Sequence, residues 1–210
     1  NAPTTFGKKV LVPLLAQLVN RYPRVELDLT FSDRYEDIIR SGFDAAVRVG
    51  RLAGSTLIAH RFATQQILVC ASPGYLAQHG KPTAPGDLAA HRCMLFRMPS
   101  AGRVRPWEFL HSGQPMTFVP DASVTMDDGE ALVAAAVAGL GLAQVPDYMA
   151  QEDLDAGRLL EVLQAFRVPP MPISLVYPSS RQVTPRLRVL LEALTGRPVR
   201  SIRRRSPRSS

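Results

Sequence analysis

The feature that most constrains the fold is the strand pattern Ala45–Val49, which is apolar on both faces apart from Arg48. Strands of this kind are typical of a buried sheet. A helix pattern at Phe6–Tyr22, an alternating strand at Val25–Phe31 and a short helix near Tyr35–Ser41 precede it. Helix, strand, helix and strand in this order predict a parallel sheet covered by helices.

The rest of the chain continues the α/β pattern, beginning with a long extended stretch at Leu57–Ala71. We predict strands at Arg92–Phe96, Pro106–Leu110, Met116–Val119, Ala122–Met126, Leu142–Val145 and Ile173–Tyr177. We predict helices beginning at Pro73 and Pro85, and further helices at Gly129–Ala138, Pro146–Ala156 and Pro185–Leu194.

Bulk composition indicates a soluble protein with a real core. The chain has 210 residues, 46% of them hydrophobic, and a mean hydropathy of -0.01. No run of about 18 apolar residues occurs, so we expect no transmembrane helix. Residues 1–5 carry no signal-peptide pattern, and the chain reads as a piece of a longer protein.

The net charge of +7 is concentrated at one end, because residues 197–210 hold six arginines and no acid. The body of the chain is therefore close to neutral and offers no evident nucleic-acid face. The composition predicts a disordered, basic tail at 198–210. Contact between this tail and phosphate groups is the alternative.

Residues that carry chemistry do not form a recognisable catalytic set. Gly-x-Ser-x-Gly, His-Glu-x-x-His and phosphate-binding glycine motifs are absent from the sequence. Cys70 and Cys93 make no disulfide framework, and burial is the expected state of Cys70, with a redox-sensing pair as the alternative. The four histidines lack metal-ligand spacing. We expect neither an enzyme nor a cofactor or metal.

The start of the first helix is unusual, since Thr4, Thr5 and Phe6 precede two lysines, Lys8 and Lys9, with no acid nearby. Helix N-termini present unpaired N–H groups and a partial positive charge, so lysines there are unfavourable. Hydroxyls and bare amides without an acid suit a carboxylate or phosphate ligand. An ordinary threonine cap with solvated lysines is the alternative.

Two helices, Val10–Val19 and Ala131–Ala138, are apolar almost all round. A surface helix normally has one apolar stripe and one polar face. The excess apolar surface predicts contact with a second partner. Deep burial of each helix within its own lobe is the alternative.

The order Ala45–Gly50 followed by Ile67–Leu76 closely resembles the effector-binding, or substrate-binding, domain of LysR-type transcriptional regulators. The resemblance covers about residues 5–195. Further family motifs stand at Pro13-Leu14-Leu15, Tyr22-Pro23, Ser41-Gly42-Phe43-Asp44, Gly139-Leu140-Gly141 and Val145-Pro146.

This resemblance implies a type II periplasmic-binding-protein-like fold of two α/β lobes joined by two crossover strands. Lobe I would comprise residues 1–70 plus 174–197, and lobe II residues 71–173. The crossovers would fall near Val69–Ser72 and Pro172–Ser174.

The resemblance also implies an effector cleft between the lobes. The expected ligand-binding residues are Thr4, Thr5, Phe6, Ser32, Asp33, Arg48, Met126, Asp127 and Asp128. Asp127 also fits a capping box with Glu130, which needs no ligand. Arg48 pairs either with a ligand carboxylate or with a structural acid, because a buried charge needs a partner.

The implied function is effector sensing and dimerisation within a cytoplasmic DNA-binding transcriptional regulator. The effector would be a small anionic metabolite, aromatic acids included. The helices Val10–Val19 and Ala131–Ala138 would pair in a homodimer, with a tetramer at full length, and DNA would bind only through an N-terminal domain outside these residues. A transport-type solute-binding protein and an enzyme on the same fold are the alternatives.

Overall fold

The computed structural model describes residues 1–50, 56–179 and 183–196. Among them the strands are β1 Ala46–Val49, β2 Leu57–Gln65, β3 Ile67–Ala71, β4 Cys93–Phe96, β5 Trp107–His111, β6 Gln114–Phe118, β7 Ala122–Met126, β8 Leu142–Pro146, β9 Leu160–Val162 and β10 Met171–Pro178. The α-helices are α1 Thr4–Phe6, α2 Val12–Arg21, α3 Pro73–His79, α4 Gly129–Val137, α5 Asp147–Asp155 and α6 Pro185–Thr195, with 3-10 helices at Pro85–Ala90 and Gln164–Phe166.

The N-terminal helix runs without a break over residues 4–21, because a π-helical turn, Gly7–Leu11, joins α1 to α2. Its apolar face buries Leu11, Leu15 and Leu18 in a core shared with α6 and β10. Pro23 ends the helix because proline supplies no backbone N–H. The predicted helix is therefore confirmed, and the π turn is an addition that periodicity does not reveal.

Lobe I contains the three-stranded sheet β1-β10-β2 together with residues 1–21 and α6. Both strand pairs are antiparallel, so the predicted parallel sheet is wrong for this lobe. Val25–Phe31 is extended but forms no strand. Among the described residues it forms one bridge, a parallel one between Ala2 and Phe31, and a single rung does not extend into a ladder.

The predicted helix near Tyr35–Ser41 is also wrong. The chain forms only a turn at residues 38–42. The Asp37 carboxylate accepts hydrogen bonds from the backbone N–H groups of Ile39 and Arg40 at 2.8 and 3.2 Å. Side-chain bonds of this kind satisfy the local backbone and compete with helix propagation.

Lobe II contains the five-stranded sheet β7-β4-β8-β3-β9 with α3, α4 and α5. Strand β4 is parallel to β7 and β8, whereas β3 is antiparallel to β8 and β9. Leu132 and Ala136 of α4 pack on one face of this sheet. Trp107 and Phe109 of the β5-β6 hairpin pack on the other. The strands and helices predicted for this region are confirmed.

Two passages join the lobes, as expected for the bilobal fold. All of β3 pairs within lobe II, so the first passage lies at Gln66, a few residues before the expected Val69–Ser72. Strand β10 already pairs with β2 at Met171, so the return also lies slightly earlier than expected. We therefore propose lobe boundaries near 66 and 170. The predicted tail, 198–210, lies outside the described residues.

Replacement of Gly141 should destabilise lobe II. A Cβ atom at this position would lie 2.2 Å from the carbonyl oxygen of Arg92, and the backbone must shift to accept it. We expect Gly141→Ala to lower the free energy of unfolding by about 1–3 kcal/mol. Gly86→Ala is the control, since nothing lies within 4 Å of its Cβ position. Equal urea midpoints for the two variants would contradict this packing.

Candidate functional site: the cleft between the lobes

A cavity of about 320 Å³ lies between the two lobes, within the range of small-molecule sites. Lobe I supplies the N-terminal helix and the ends of β1 and β2, and lobe II supplies most of the remaining wall. The lining residues are Thr5, Asp33, Val49, Gln65, Ile67, Phe96, Met98, Pro99, Ser100, Ala101, Arg105, Pro106, Trp107, Gly129, Leu132, Gln144, Val145, Pro146, Tyr148 and Met149.

Strand ends and helix starts converge on this cavity. Val49 and Gln65 are the last residues of β1 and β2, and Pro146 ends β8. Thr5 lies in the first turn of the N-terminal helix, and Gly129 begins α4. Ligand sites in α/β folds commonly form where strands end and the chain turns outward.

The lining is largely apolar, with few polar groups. Thr5 and Gln65 are only 4% and 3% exposed. Among the described residues, the Gln65 Oε1 atom is buried without a hydrogen-bond partner. The Arg105 guanidinium lies 3.6 Å from the Glu108 carboxylate, and Asp33 contributes a second carboxylate. An apolar chamber with a few convergent polar groups can orient a small ligand.

An aromatic contact joins the lobes beside the cavity. The Phe6 ring of lobe I meets the Tyr148 ring of α5 edge-on, with centroids 5.3 Å apart. Phe62 of β2 contacts the same Phe6 ring at 6.0 Å. Burial raises the pKa of the Tyr148 hydroxyl, so it remains protonated at neutral pH. Tyr148 belongs to lobe II by sequence, but its side chain packs against the lobe I core.

The two lysines of the first helix reach across the cleft. Lys8 Nζ lies 2.8 Å from Glu130 of α4, and Lys9 Nζ lies 3.1 Å from Glu152 of α5. The hydrogen bond to Glu130 raises the pKa of Lys8. Acids from the other lobe thus compensate the charges that are unfavourable at a helix N-terminus. Tyr35 N–H also donates to Ser100 Oγ across the mouth, at 2.7 Å.

The structure places two of the expected ligand residues, Thr5 and Asp33, in the cavity lining. Asp33 also accepts a hydrogen bond from the backbone N–H of Thr4, at 2.9 Å. A carboxylate of this chain therefore satisfies one helix-start donor that we expected a ligand to use. Phe6 is 1% exposed, and its ring packs in the lobe I core.

The remaining expected residues lie outside the lining. Ser32 Oγ accepts a hydrogen bond from the Arg34 backbone N–H. Met126, at the end of β7, packs against the core beneath α4. Asp128 caps α4 by accepting from Ala131 N–H at 2.8 Å, so the cap falls one residue after Asp127, the predicted capping residue.

Arg48 binds neutral groups of lobe I. Its Nη1 donates to Asn1 Oδ1 at 2.7 Å, its Nη2 donates to the Glu36 carbonyl at 2.8 Å, and its guanidinium carbon lies over the Tyr35 ring, 5.2 Å from the ring centre. Burial lowers the pKa of Arg48. The expected carboxylate partner is thus replaced by carbonyl oxygens and an aromatic face.

Sequence reasoning missed Gln65, Arg105 and Trp107. Gln65 carried no signal of its own, because the predicted extended stretch Leu57–Ala71 also contains His60, Arg61, Thr64 and Gln66. Arg105 and Trp107 carried no signal, because Arg105 lies in the loop before β5 and Trp107 begins β5, and both reach the cleft only through the packing of β5 on the lobe II sheet.

Several relatives of known class resemble this chain. The sequence model of the family described as the LysR substrate binding domain matches residues 1–198. The HTH-type transcriptional regulator YhjC of Escherichia coli K12 is 35% identical over 92% of this chain and 65% of its own length. The HTH-type transcriptional regulator CrgA of Neisseria meningitidis is 34% identical over 88% of this chain and 61% of its own length.

Solved structures of LysR-type regulators are similar to this chain over most of its length. The CrgA regulatory domain superposes with a TM-score of 0.82 at 32% identity, over 93% of this chain and 95% of that one. The full-length Vibrio cholerae virulence activator AphB gives 0.80 at 25% identity, over 94% of this chain and 67% of that one. The first is the regulatory domain of a LysR-type transcriptional regulator, and the second is a full-length member of the same family of regulators.

The chain belongs to the LysR substrate-binding domain family. It spans less than two thirds of the length of curated relatives such as YhjC and CrgA. Within the described ranges, no cluster of histidine, cysteine and acidic side chains is suited to hold a metal. None of the described helices is both long and apolar enough to traverse a bilayer.

Both cysteines should be inert in the folded protein. Cys70 and Cys93 are buried, and burial raises the pKa of each thiol to about 12. At pH 8 the thiolate fraction is then on the order of one part in 10,000. We expect Ellman's reagent to react with both thiols in urea and with neither in the native state. Rapid labelling of the native protein would contradict this expectation and support the alternative that Cys70 and Cys93 form a redox-sensing pair.

Proposed function

We propose that this chain is the effector-sensing and dimerisation domain of a LysR-type DNA-binding regulator, and that it binds a small anionic metabolite between its lobes. The observation that supports this most directly is the mostly apolar cavity with wall residues from both lobes. A ligand held there contacts both lobes at once. Its binding energy therefore depends on their separation, as sensing requires.

The anionic character of the effector rests on the polar groups of the lining. Arg105 is half-buried, and its pairing with Glu108 is long, so the guanidinium can accept a ligand carboxylate as a second partner. Thr5 offers a hydroxyl in the wall of the same cavity. The Asp33 carboxylate in the same wall repels negative charge, so we expect a monoanion in preference to a dianion.

Ligand binding would act on contacts that already cross the cleft. The Lys8–Glu130 and Lys9–Glu152 pairs and the Phe6–Tyr148 contact favour the present separation of the lobes. An effector that prefers a tighter or twisted arrangement shifts this equilibrium only by its difference in affinity for the two states. Hinge motion of two packed lobes is an established means of such switching.

Removal of the Thr5 hydroxyl should weaken effector binding. We would measure the melting temperature of wild type and Thr5→Val against a library of small carboxylates. A ligand at 100 times its dissociation constant adds about 2.7 kcal/mol of stability. We expect the wild-type shift to shrink in Thr5→Val, because the isosteric change removes only the hydroxyl.

Thr117→Val is the matched control, since Thr117 is exposed on β6 and lies outside the lining. It should retain the full shift. Equal shifts in all three proteins would move the ligand away from the N-terminal helix. Binding limited to cations or neutral sugars would contradict the anionic effector.

The two apolar helices would form the homodimer interface. Burial in lobe I does not cover all the apolar residues of 10–19, since Val12 and Val19 remain 42% and 39% exposed. On α4, Leu132 and Ala136 are buried, whereas Ala134 faces solvent. Each helix therefore serves its own lobe with one face and leaves another apolar face open.

A charge on the open face of α4 should weaken this dimer. We expect Ala134→Glu to shift the chain towards monomer, because a carboxylate at an apolar interface loses its hydration. Analytical ultracentrifugation measures the change. Ala77→Glu, at an exposed alanine of α3, is the control and should leave self-association unchanged. A wild type that is monomeric at high concentration would overturn the interface.

Full-length assembly and DNA binding belong to the longer regulator. We expect DNA contact through an N-terminal helix-turn-helix domain, a tetramer at full length and a cytoplasmic location. The relatives named as HTH-type transcriptional regulators support this assignment over a transport protein or an enzyme. Sequence-specific operator binding by the present 210 residues alone would contradict it.

A further inference from the structure

We infer that Gln65 is a ligand-recognition residue, and that the effector carries a hydroxyl or N–H donor on its otherwise apolar body. The inference rests on the proposed function and specifies its ligand class further. It starts from one buried polar atom that the folded protein leaves unsatisfied, Gln65 Oε1.

Gln65 occupies the last position of β2, where its backbone faces Met171 of β10. The residue is 3% exposed and lines the interlobe cavity. Its carbonyl oxygen finds no donor among the described residues. A buried acceptor without a donor is destabilising, so the free domain carries a cost that a donor in the cavity would remove.

The neighbouring residue, Gln66, has a side-chain amide with a structural role and serves as a comparison. Gln66 Nε2 donates to the carbonyl of Val168 at 2.8 Å and to that of Ile67 at 3.1 Å. It ties the passage between the lobes to the returning chain. The two adjacent glutamines therefore differ in their hydrogen bonding. The Gln66 side chain bonds to backbone carbonyls, whereas the Gln65 side chain lines the cavity and its oxygen has no donor among the described residues.

The surroundings of Gln65 define the rest of the ligand. Ile67, Val145 and Trp107 line the same cavity, and Trp107 is 2% exposed. Such walls favour an apolar, flat framework. A hydroxyl or N–H group on that framework satisfies Gln65, while the proposed acidic group meets Arg105. A site built in this way rejects an analogue that lacks the donor.

The test uses compounds in matched sets: benzoate, 3- and 4-hydroxybenzoate, their methyl ethers, and the neutral phenols that lack the carboxylate. Calorimetry gives the affinities. The single tryptophan of the chain, Trp107, reports occupation of the cavity by fluorescence. The variants are Gln65→Met, which removes the amide at similar volume, and Gln66→Met as the matched control.

We expect at least one hydroxy acid to bind about tenfold or more tightly than its methyl ether. This preference should disappear in Gln65→Met and persist in Gln66→Met. Without ligand, Gln65→Met should melt at the same or a higher temperature than wild type, because it removes an unsatisfied acceptor. Gln66→Met should melt at a lower temperature, because it loses two hydrogen bonds.

Other results separate this inference from the proposed function. If the acids bind equally well with and without a hydroxyl donor, the role of Gln65 is overturned. It is also overturned if the donor preference persists in Gln65→Met. In both cases the proposed binding of an anion between the lobes still holds. Phenols that bind as tightly as the phenolic acids, in a Gln65-dependent way, keep the inference and remove the anionic effector. If no compound binds, a melting temperature of Gln65→Met below that of wild type overturns the inference, and an equal or higher one supports it.

Discussion

The contact between Phe6 and Tyr148 is the interaction on which the rest of the cleft depends. It inserts a side chain of α5 into the core of the other lobe and places the start of the N-terminal helix beside the end of β8. Because buried aromatic pairs are costly to separate, this contact limits how far the lobes can part at that end. The cavity lies next to it and includes Tyr148 in its wall.

Charge pairs complement this aromatic contact at the surface. Lys8 and Lys9 each meet an acid of lobe II, and such exposed pairs are individually weak and screened by salt. Apolar packing therefore holds the lobes together, and the ion pairs adjust their relative orientation at low cost. This division suits a sensor, because a ligand with modest binding energy can compete with the weak contacts without opening the core.

Much of the fold followed from local sequence patterns. The helix over residues 4–21 and most strands from β3 to β10 have the periodicity and the end signals that their structures require, whereas the three-residue strand β9 was not predicted. Val25–Phe31 has strand periodicity as well, but a ladder needs a partner, and Asn1–Ala2 supplies a single rung. Asp37 likewise diverts a helix-like pattern into a turn through its side chain.

The cleft was less predictable, because long-range packing assembles it. Thr5 was predicted from the unusual helix start together with the family resemblance, and Asp33 from the family resemblance alone. Gln65 and Trp107 line one cavity only when two separate sheets pack together, and nothing local marks them for a ligand. Arg48 shows the reverse case, since a conspicuous charge in an apolar strand turned out to bind the carbonyls of its own lobe.

Amide hydrogen exchange of the whole chain, with and without a compound that raises its melting temperature, tests the central claim most directly. Binding between the lobes predicts slower exchange on both walls, at the start of the N-terminal helix, around Gln65–Ile67 and at Gln144–Met149. Protection confined to one lobe, or located away from these segments, would contradict an effector site in the cleft.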